Sequence, residues 1–149
     1  MSKNDECDEL RLENQLCFAL HSTSLMMTKV YKPFLRELGL TYPQYLAMLV
    51  LWESNGLTVG EMSQRLLTDP GSLTPLLKRL EAEGLIKRTR RPTDERVVEL
   101  RLTTDGQQLR EKARAVPSCI ADASDRSIER LMALKEELVA LRNNLQSAL

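Results

Sequence analysis

Several features are scarce or missing in this chain of 149 residues, and each gap excludes a class of protein. The single histidine and the spacing of Cys7, Cys17 and Cys119 form no zinc-binding pattern, so we expect no bound metal. The formal net charge is zero, so any contact with nucleic acid would need a local basic patch. A signal peptide, a long apolar run, a glycine-rich phosphate loop and a Ser-His-Asp set are also missing. We therefore expect a cytoplasmic protein with reduced thiols, no cofactor and no membrane partner.

What is present predicts a globular, mainly α (α+β) protein, because 42% of the residues are apolar and 28% are charged. We expect a single domain over residues 1–149. Its predicted parts are a flexible tail at 1–9, N-terminal helices at 10–54, a winged helix-turn-helix at 58–102 and C-terminal dimerisation helices at 104–149.

The segment from Thr58 onward predicts two helices joined by a short turn. Thr58 and Glu61 have capping-box spacing at the start of the first helix. Asp69, which precedes Pro70, is one candidate cap for the second helix, and Ser72 is the other. A helix-turn-helix lays its second helix in the major groove of DNA.

The second helix is predicted to have one apolar and one polar face. Gly84 ends it, because glycine readily adopts the left-handed conformation that closes a helix. The apolar stripe comprises Leu73, Leu76, Leu77 and Leu80, and the opposite face comprises Ser72, Thr74, Pro75, Lys78 and Arg79. The polar face is therefore the predicted DNA-binding surface.

Two β-rich runs follow, at residues 85–90 and 97–102, and predict a hairpin. The stretch from Lys87 to Arg96 has five basic and two acidic residues, including Arg90, Arg91 and Arg96. A cationic hairpin tip beside a helix-turn-helix is typical of a wing that contacts phosphates or the minor groove.

The remaining helices are predicted from apolar spacing and from cap residues. We expect a helix at residues 10–28 and another from Thr41 onward. Between them, Pro33 and Gly39 interrupt the pattern and predict a separate short helix at 32–38. Thr104 and Gln107 are predicted to cap a helix that Pro117 kinks or breaks. A last helix, at residues 127–147, has a nearly heptad apolar row formed by Ile128, Leu131, Leu134, Leu138, Leu141 and Leu145. Such a row predicts a two-fold dimer with two reading helices about one DNA turn apart, as an inverted-repeat operator requires.

Four segments of the sequence resemble the MarR family of bacterial repressors, in the organic-hydroperoxide-sensing, OhrR-like branch. The segments are residues 12–20 (LENQLCFAL), 40–46 (LTYPQYL), 73–81 (LTPLLKRLE) and 94–98 (DERVV). The resemblance implies a double-stranded DNA-binding repressor, with Thr74 and Pro75 near base edges and Lys78 and Arg79 near phosphates. It also implies that Asp94 braces the wing and that Arg96 enters the minor groove.

The same resemblance implies that an organic hydroperoxide oxidises Cys17, while Tyr31 and Tyr42 of the other subunit hydrogen-bond to it. On one straight helix, Tyr31 would lie about 21 Å from Cys17, so only a second copy could bring them together. A peroxide is attacked by the thiolate, and the resulting sulfenic acid can be trapped by a second thiol. The candidates for that thiol are Cys119, Cys7 as a fallback, and an external small thiol.

Two departures from the branch and two other functions remain open at this point. His21 stands where the branch commonly has tyrosine, and it either orients the thiolate or faces solvent or core. The run from Leu67 to Pro70 also departs from the branch, and this alters the start of the reading helix. One alternative function is a MarR-type repressor that binds a small aromatic or phenolic ligand, with Cys17 as a small core residue. The other is a thiol peroxidase that uses Cys17 and His21.

Overall fold

The computed structural model describes residues 5–149, and side chains from Asp8 onward. Two 3-10 turns, Asp5–Leu10 and Leu12–Asn14, precede seven helices and one hairpin. The elements are α1 (Leu16–Leu38), α2 (Tyr42–Glu53), α3 (Val59–Arg65), α4 (Pro70–Ala82), β1 (Ile86–Arg91), β2 (Asp94–Leu102), α5 (Thr104–Ala113), α6 (Val116–Ser124) and α7 (Ile128–Ser147). The chain forms two compact units, one ending at Ala113 and the other spanning Arg114–Leu149. No helix within 5–149 is long and apolar enough to cross a membrane.

The first helix begins later than predicted, at Leu16 instead of residue 10. Side-chain amides hold the chain before it in tight turns: Asn14 donates to the Asp8 carbonyl at 2.8 Å, and Gln15 donates to the Glu9 carbonyl at 2.6 Å. Amides that bind backbone carbonyls compete with regular helix in this way. Of the tail expected at 1–9, residues 1–4 lie outside the described residues, and 5–9 form part of the first 3-10 turn.

The predicted break at Pro33 is wrong, since α1 continues through this residue to Leu38 as a single helix. A proline inside a helix removes one N–H and with it one backbone hydrogen bond. Here Leu35 and Leu38, in the turn after the proline, are buried at 1% and 9% exposure. Burial of two leucines outweighs one lost hydrogen bond, because it stabilises by about 1.5–3 kcal/mol per side chain. The helix ends at Gly39, whose φ is +72°.

The core of the first unit is built around α2. Thr41 caps this helix as predicted, and it forms a complete capping box with Gln44. The Trp52 indole donates to the Gly106 carbonyl at 2.8 Å and so links α2 to α5. The fully buried large side chains are Leu35, Met48, Leu51, Met62, Leu77, Leu80, Ile86 and Leu100. They come from α1, α2, α3, α4 and both strands, so the helix-turn-helix and the hairpin share one core.

The hairpin is longer than predicted, and its turn is shorter. Pairing runs from Ile86 opposite Leu102 to Arg91 opposite Asp94, with an irregularity between Arg90 and Arg91. Only Pro92 and Thr93 lie outside the two strands at the tip, and the irregularity leaves Glu95, Arg96 and Val97 of β2 without a partner in the register. Several of the charged residues expected in the loop are therefore strand residues with fixed positions.

The cap of α5 is Thr103, so the predicted cap at Thr104 was wrong by one residue. The Thr103 hydroxyl accepts the N–H of Gly106 at 3.1 Å and donates to the Gly84 carbonyl at 2.6 Å. Gly106 lies so close to the Leu85 carbonyl that a Cβ would collide with it. Contacts with the end of α4 and the start of the hairpin thus determine which threonine caps α5.

In the second unit, α6 begins at Val116 with Pro117 in its first turn, so the predicted break near Pro117 is confirmed. Ser127 caps α7 and accepts the N–H of Arg130 at 3.2 Å. None of the residues of α7 is buried, and Ile128 and Leu145 are 67% and 58% exposed. The predicted apolar row of this helix is therefore largely uncovered in a single chain.

Candidate nucleic-acid interface and redox site

The start of α4 is fixed by Asp69, which resolves the choice between the two candidate caps. One carboxylate oxygen of Asp69 accepts the backbone N–H of Ser72, and the other accepts the Ser72 hydroxyl, both at 2.9 Å. These bonds, the side-chain bond first, hold the pKa of Asp69 below its usual value. The hydroxyl of Ser72, which was predicted to contact DNA, thus donates its hydrogen bond to the cap. Its oxygen can still accept a hydrogen bond.

The polar face of α4 lies opposite the buried leucines. Leu73, Leu77 and Leu80 are buried, as predicted, whereas Leu76 is only half-buried. Pro75, Lys78 and Arg79 are exposed. Thr74 is half-buried and donates to the Pro70 carbonyl at 3.0 Å. A surface of two cations and small side chains therefore faces away from the core.

The wing is held by short contacts around its turn. Asp94 accepts the backbone N–H of Arg96 at 3.1 Å and its Nε at 3.2 Å. Arg90 donates to the Glu95 carbonyl at 2.7 Å, and Arg91 lies 3.6 Å from a Glu99 oxygen. Asp94 therefore holds the guanidinium of Arg96 at its Nε, while the side chain as a whole is still 91% exposed.

A contact that sequence reasoning missed fastens the base of the wing to α4. Glu81 accepts the backbone N–H of Arg88 at 2.8 Å and also its guanidinium at 3.2 and 3.3 Å. These bonds, led by the backbone bond, hold the pKa of Glu81 below its usual value. The sequence held one signal for this contact: Glu81 follows Leu73 and Leu77 at spacings of four, which places this acidic residue on the same face of the helix.

A groove of about 550 Å³ separates the start of α3 and α4 from the wing. Its charged lining residues are all cationic, namely Lys78, Arg88, Arg90 and Arg96. A concave surface of this charge suits a phosphate backbone, and hydroxyls and backbone at the groove edge can contact bases. The neutral chain therefore concentrates positive charge at the surface predicted from the sequence.

Cys17 is the second residue of α1, and its thiol is exposed. The first N–H groups of a helix have no partner within the helix, and the helix dipole favours negative charge there. No side chain caps this end, since Gln15 makes no cap hydrogen bond. His21 is also exposed and follows one turn later on the same helix. The Cys17 thiol is therefore open to solvent at the start of a helix.

Three tyrosine rings meet where α1 packs against α2. The Tyr31 ring centre lies 5.2 Å from that of Tyr42, edge to face, and 5.7 Å from that of Tyr45. Burial, followed by the neighbouring tyrosines, raises the pKa of Tyr31 to about 12, and burial also raises that of Tyr45. The Tyr31 and Tyr45 phenols therefore remain protonated at neutral pH and can donate hydrogen bonds. Tyr45 was missed as part of this cluster, although it lies three residues after Tyr42 on one helix.

Within one chain, the candidate redox residues do not meet. Cys17 and Tyr31 lie on one helix, separated by about 21 Å at the helical rise per residue. Cys119 is half-buried in α6, within the second unit. The side chain of Cys7 lies outside the described residues. The sensing role of Cys17 and the identity of a second thiol therefore stay predictions.

Comparison with known proteins decides the family. A family model described as transcriptional regulator SarA/Rot matches residues 29–113. The organic hydroperoxide resistance transcriptional regulator of Bacillus subtilis is 51% identical over 138 residues, which span 93% of this chain and 94% of that protein. The chain belongs to the MarR family, in its organic-hydroperoxide-sensing branch. Like these relatives, it is a transcriptional regulator and not an enzyme.

Two solved structures of AbfR, a protein of Staphylococcus epidermidis, are similar to this MarR-family chain. Reduced AbfR bound to DNA has a TM-score of 0.76 and 37% identity, covering 95% of this chain and 99% of AbfR. Disulfide-formed AbfR has a TM-score of 0.65 and 35% identity, covering 98% and 99%. The winged helix-turn-helix fold predicted from the sequence is thereby confirmed.

Proposed function

We propose that this protein is a cytoplasmic, homodimeric repressor that binds an inverted-repeat operator when reduced and releases it when an organic hydroperoxide oxidises Cys17. The position of Cys17 carries this proposal. Its thiol is exposed in the first turn of α1, and the far end of the same helix packs against α2. The kinship with a hydroperoxide-resistance regulator, and with AbfR in DNA-bound and disulfide forms, supports it.

The dimer is supported by apolar surface that one chain leaves uncovered. On α1, Leu16, Met26 and Met27 are between 43% and 60% exposed, and four of the six apolar row positions of α7 are exposed, namely Ile128, Leu134, Leu138 and Leu145. Several exposed apolar side chains along one helix are typical of an interface. A two-fold arrangement would place the first turn of one α1 against the tyrosines of the other, so that Tyr31 and Tyr42 donate to the Cys17 sulfur.

The proposed reaction needs only the thiolate and the peroxide. The Cys17 sulfur attacks the terminal oxygen, an S–O bond forms and the O–O bond breaks. The sulfur loses two electrons to the peroxide, and the departing alkoxide takes a proton from solvent or from a tyrosine hydroxyl. The products are a sulfenic acid and an alcohol. Cys119, Cys7 or an external thiol can then displace hydroxide from the sulfenic sulfur and form a disulfide.

Oxidation can reach the DNA-binding surface through packed helices. The turn of α1 after Pro33 packs against α2, and α2 contacts both α4 and β2. A shift of α1 at the dimer interface would therefore move each reading helix together with its wing. Because an operator fixes the spacing of the two half-sites, a small change in the separation of the heads weakens binding to both.

On DNA, we assign the base edges to Ser72, Thr74 and Pro75 and the phosphates to Lys78 and Arg79. Arg90, Arg91 and Arg96 contact the backbone or the minor groove from the wing, and Asp94 holds Arg96 in line. Loss of a base contact should cost about 1–3 kcal/mol and relax specificity, whereas loss of a phosphate contact should reduce the salt dependence.

The test is a gel shift on the DNA upstream of the protein's own coding sequence. Reduced protein should bind, and cumene hydroperoxide should release wild type but not a Cys17→Ser variant. Cys119→Ser serves as the matched control and should still lose binding when it is oxidised. If the Cys17→Ser protein is released by peroxide as readily as wild type, the proposal is wrong.

A further inference from the structure

Three of the six glycines of the chain lie inside helices, and two of these have a visible reason within the chain. Gly106 lies against the Leu85 carbonyl, with which a Cβ would collide. At Gly71, a Cβ would lie 3.1 Å from a carboxylate oxygen of Asp69, the cap of α4. Both glycines therefore make room for contacts within the chain.

The third helical glycine, Gly60 in the first turn of α3, has no such reason. It does not need a positive φ, since the glycines in the left-handed region are Gly39, Gly56 and Gly84. Outside its own helix backbone and its chain neighbours, the only described atom within 4 Å of a Cβ at Gly60 is the Thr58 hydroxyl oxygen, at an ordinary 3.8 Å. Glycine loses more conformational entropy in a helix than alanine does, so alanine would make this helix more stable.

The place of Gly60 in the DNA-binding groove supplies a reason. Gly60 is exposed, and it lines the cationic groove between the start of α3, the start of α4 and the wing. Lys78, Arg90 and Arg96 line the same groove, whereas the acidic residue Glu61 does not. A side chain at position 60 would therefore take up space in this groove and not in the core.

A groove wall without a side chain suits a strand of DNA. In a helix-turn-helix, the first helix crosses the sugar-phosphate backbone while the second helix enters the major groove. Glycine allows a ligand to approach the protein backbone closely. Because the attraction between a phosphate and a cation weakens with distance, a closer approach strengthens every contact across the groove.

We propose that Gly60 is a DNA-contact position, which leaves the groove wall bare so that one strand of the operator lies directly against the start of α3. This inference rests on the proposed function, because it adds a residue to the same DNA-binding surface. Gly60 supplies no charge and no side-chain hydrogen bond. It sets how deeply the strand enters the groove, and thereby how closely Lys78, Arg90 and Arg96 approach the phosphates.

The test is a series of increasing side-chain size at position 60 in the reduced, full-length protein. Gly60→Ala should raise the thermal midpoint by about 1–4 °C, because alanine favours the helix. The same variant should nevertheless weaken operator binding on the order of threefold, and Gly60→Leu on the order of tenfold, as the added atoms push the strand outward. Opposite signs for stability and affinity would exclude a loss of folding as the cause.

The salt dependence of binding reports whether the strand has moved away from the cations. In fluorescence anisotropy, the slope of log affinity against log salt concentration should be shallower for Gly60→Leu than for wild type, because fewer phosphates are neutralised. Gln64→Leu is the matched control. It adds the same side chain at an exposed position of α3 that does not line the groove, so it should bind the operator as wild type does.

Three results would overturn the inference. The first is a Gly60→Leu protein with the affinity and salt slope of wild type. The second is a lower thermal midpoint for Gly60→Ala, since that would mean that the glycine serves the fold. The third is equal weakening by Gly60→Leu and Gln64→Leu.

A second duplex separates this inference from the proposed function. The same proteins are titrated at low salt with DNA of unrelated sequence, because contact with the sugar-phosphate backbone does not depend on the bases. Weaker binding of Gly60→Leu than of wild type to this duplex supports the inference, even if peroxide fails to release the upstream DNA. Equal binding of the two proteins to both duplexes overturns it, even if peroxide releases wild type from its operator.

Discussion

The DNA-reading head and the helical arms of this protein differ in how completely one chain satisfies them. In the head, from Thr58 to Leu102, the helix starts are capped, Leu77, Leu80 and Leu100 are buried, and the wing is pinned at its base and its tip. In the arms, the first half of α1 and much of α7 expose apolar side chains, and none of the residues of α7 is buried.

This difference separates the part of the molecule that one chain completes from the part that the proposed dimer would complete. The head can hold its DNA-binding shape within one chain. In the proposed dimer, the arms would gain their packing from association, and the redox site would gain its tyrosines in the same way. A signal that acts at the arms of such a dimer would reposition the heads without unfolding them.

The largest effect should come from breaking the arms. Replacing Leu134 and Leu138 with glutamate places charge in the apolar row of α7, so we expect monomers in analytical ultracentrifugation. Operator affinity should fall on the order of 10²-fold, because two linked heads bind more tightly than one. Lys135→Glu changes charge between the row positions and should leave the dimer intact. If the protein with both leucine substitutions is still a dimer, the apolar row of α7 does not hold the two chains together, and the contrast between head and arms is wrong.

The next effect should come from the exposed arginine of the head. Arg96→Ala should weaken operator binding by about 1–3 kcal/mol if, as we propose, Arg96 reaches the minor groove. Its thermal midpoint should match that of wild type, since the side chain is 91% exposed. Operator binding is measured by fluorescence anisotropy. Arg110→Ala, which removes an exposed arginine of α5, is the control for a general loss of positive charge. Equal weakening by both variants would contradict the assignment.

A smaller effect should come from the brace at the base of the wing. Glu81→Ala should cost about 1 kcal/mol of operator binding, since it frees the wing without removing a DNA contact. Glu81→Gln keeps an acceptor for the Arg88 N–H and should lose less. In a double-mutant cycle, Arg96→Ala should matter less when Glu81 is already alanine. Strict additivity would mean that Glu81 does not position the wing.

The last effect concerns the tyrosines where α1 meets α2, and it is confined to alkaline pH. In the folded chain the pKa of Tyr31 is about 12, whereas in the unfolded chain it is near 10. Between these values the unfolded state ionises first, so the free energy of unfolding should fall as pH rises from 10 to 12. Tyr31→Phe should lose less over this interval in urea titrations. A decline as steep as that of wild type would place the cause elsewhere.

Local signals in the sequence predicted local structure well. The cap at Thr41, the leucine stripe of α4 and the start of α7 after Ser127 each depend on residues within one or two turns. The same holds for the polar face of α4, which carries most of the proposed DNA contacts. These features were predicted because neighbouring residues alone determine them.

What was wrong or missed depends on contacts between distant segments. Proline ends an isolated helix, yet α1 passes Pro33 because burial beyond it compensates. Thr103 caps α5 because the Gly84 carbonyl accepts its hydroxyl. The Glu81–Arg88 brace and the place of Tyr45 among the tyrosines likewise require the packed structure. The meeting of Cys17 with Tyr31 requires a second chain.

The single tryptophan of the chain has a consequence for how the molecule can be studied. Its indole is tied to the Gly106 carbonyl, where α5 comes close to the start of the hairpin. Its emission should therefore respond when the head tilts against the helices behind it. The protein thus carries a native optical reporter, and stopped-flow fluorescence could time the movement of the heads after oxidation without an attached dye.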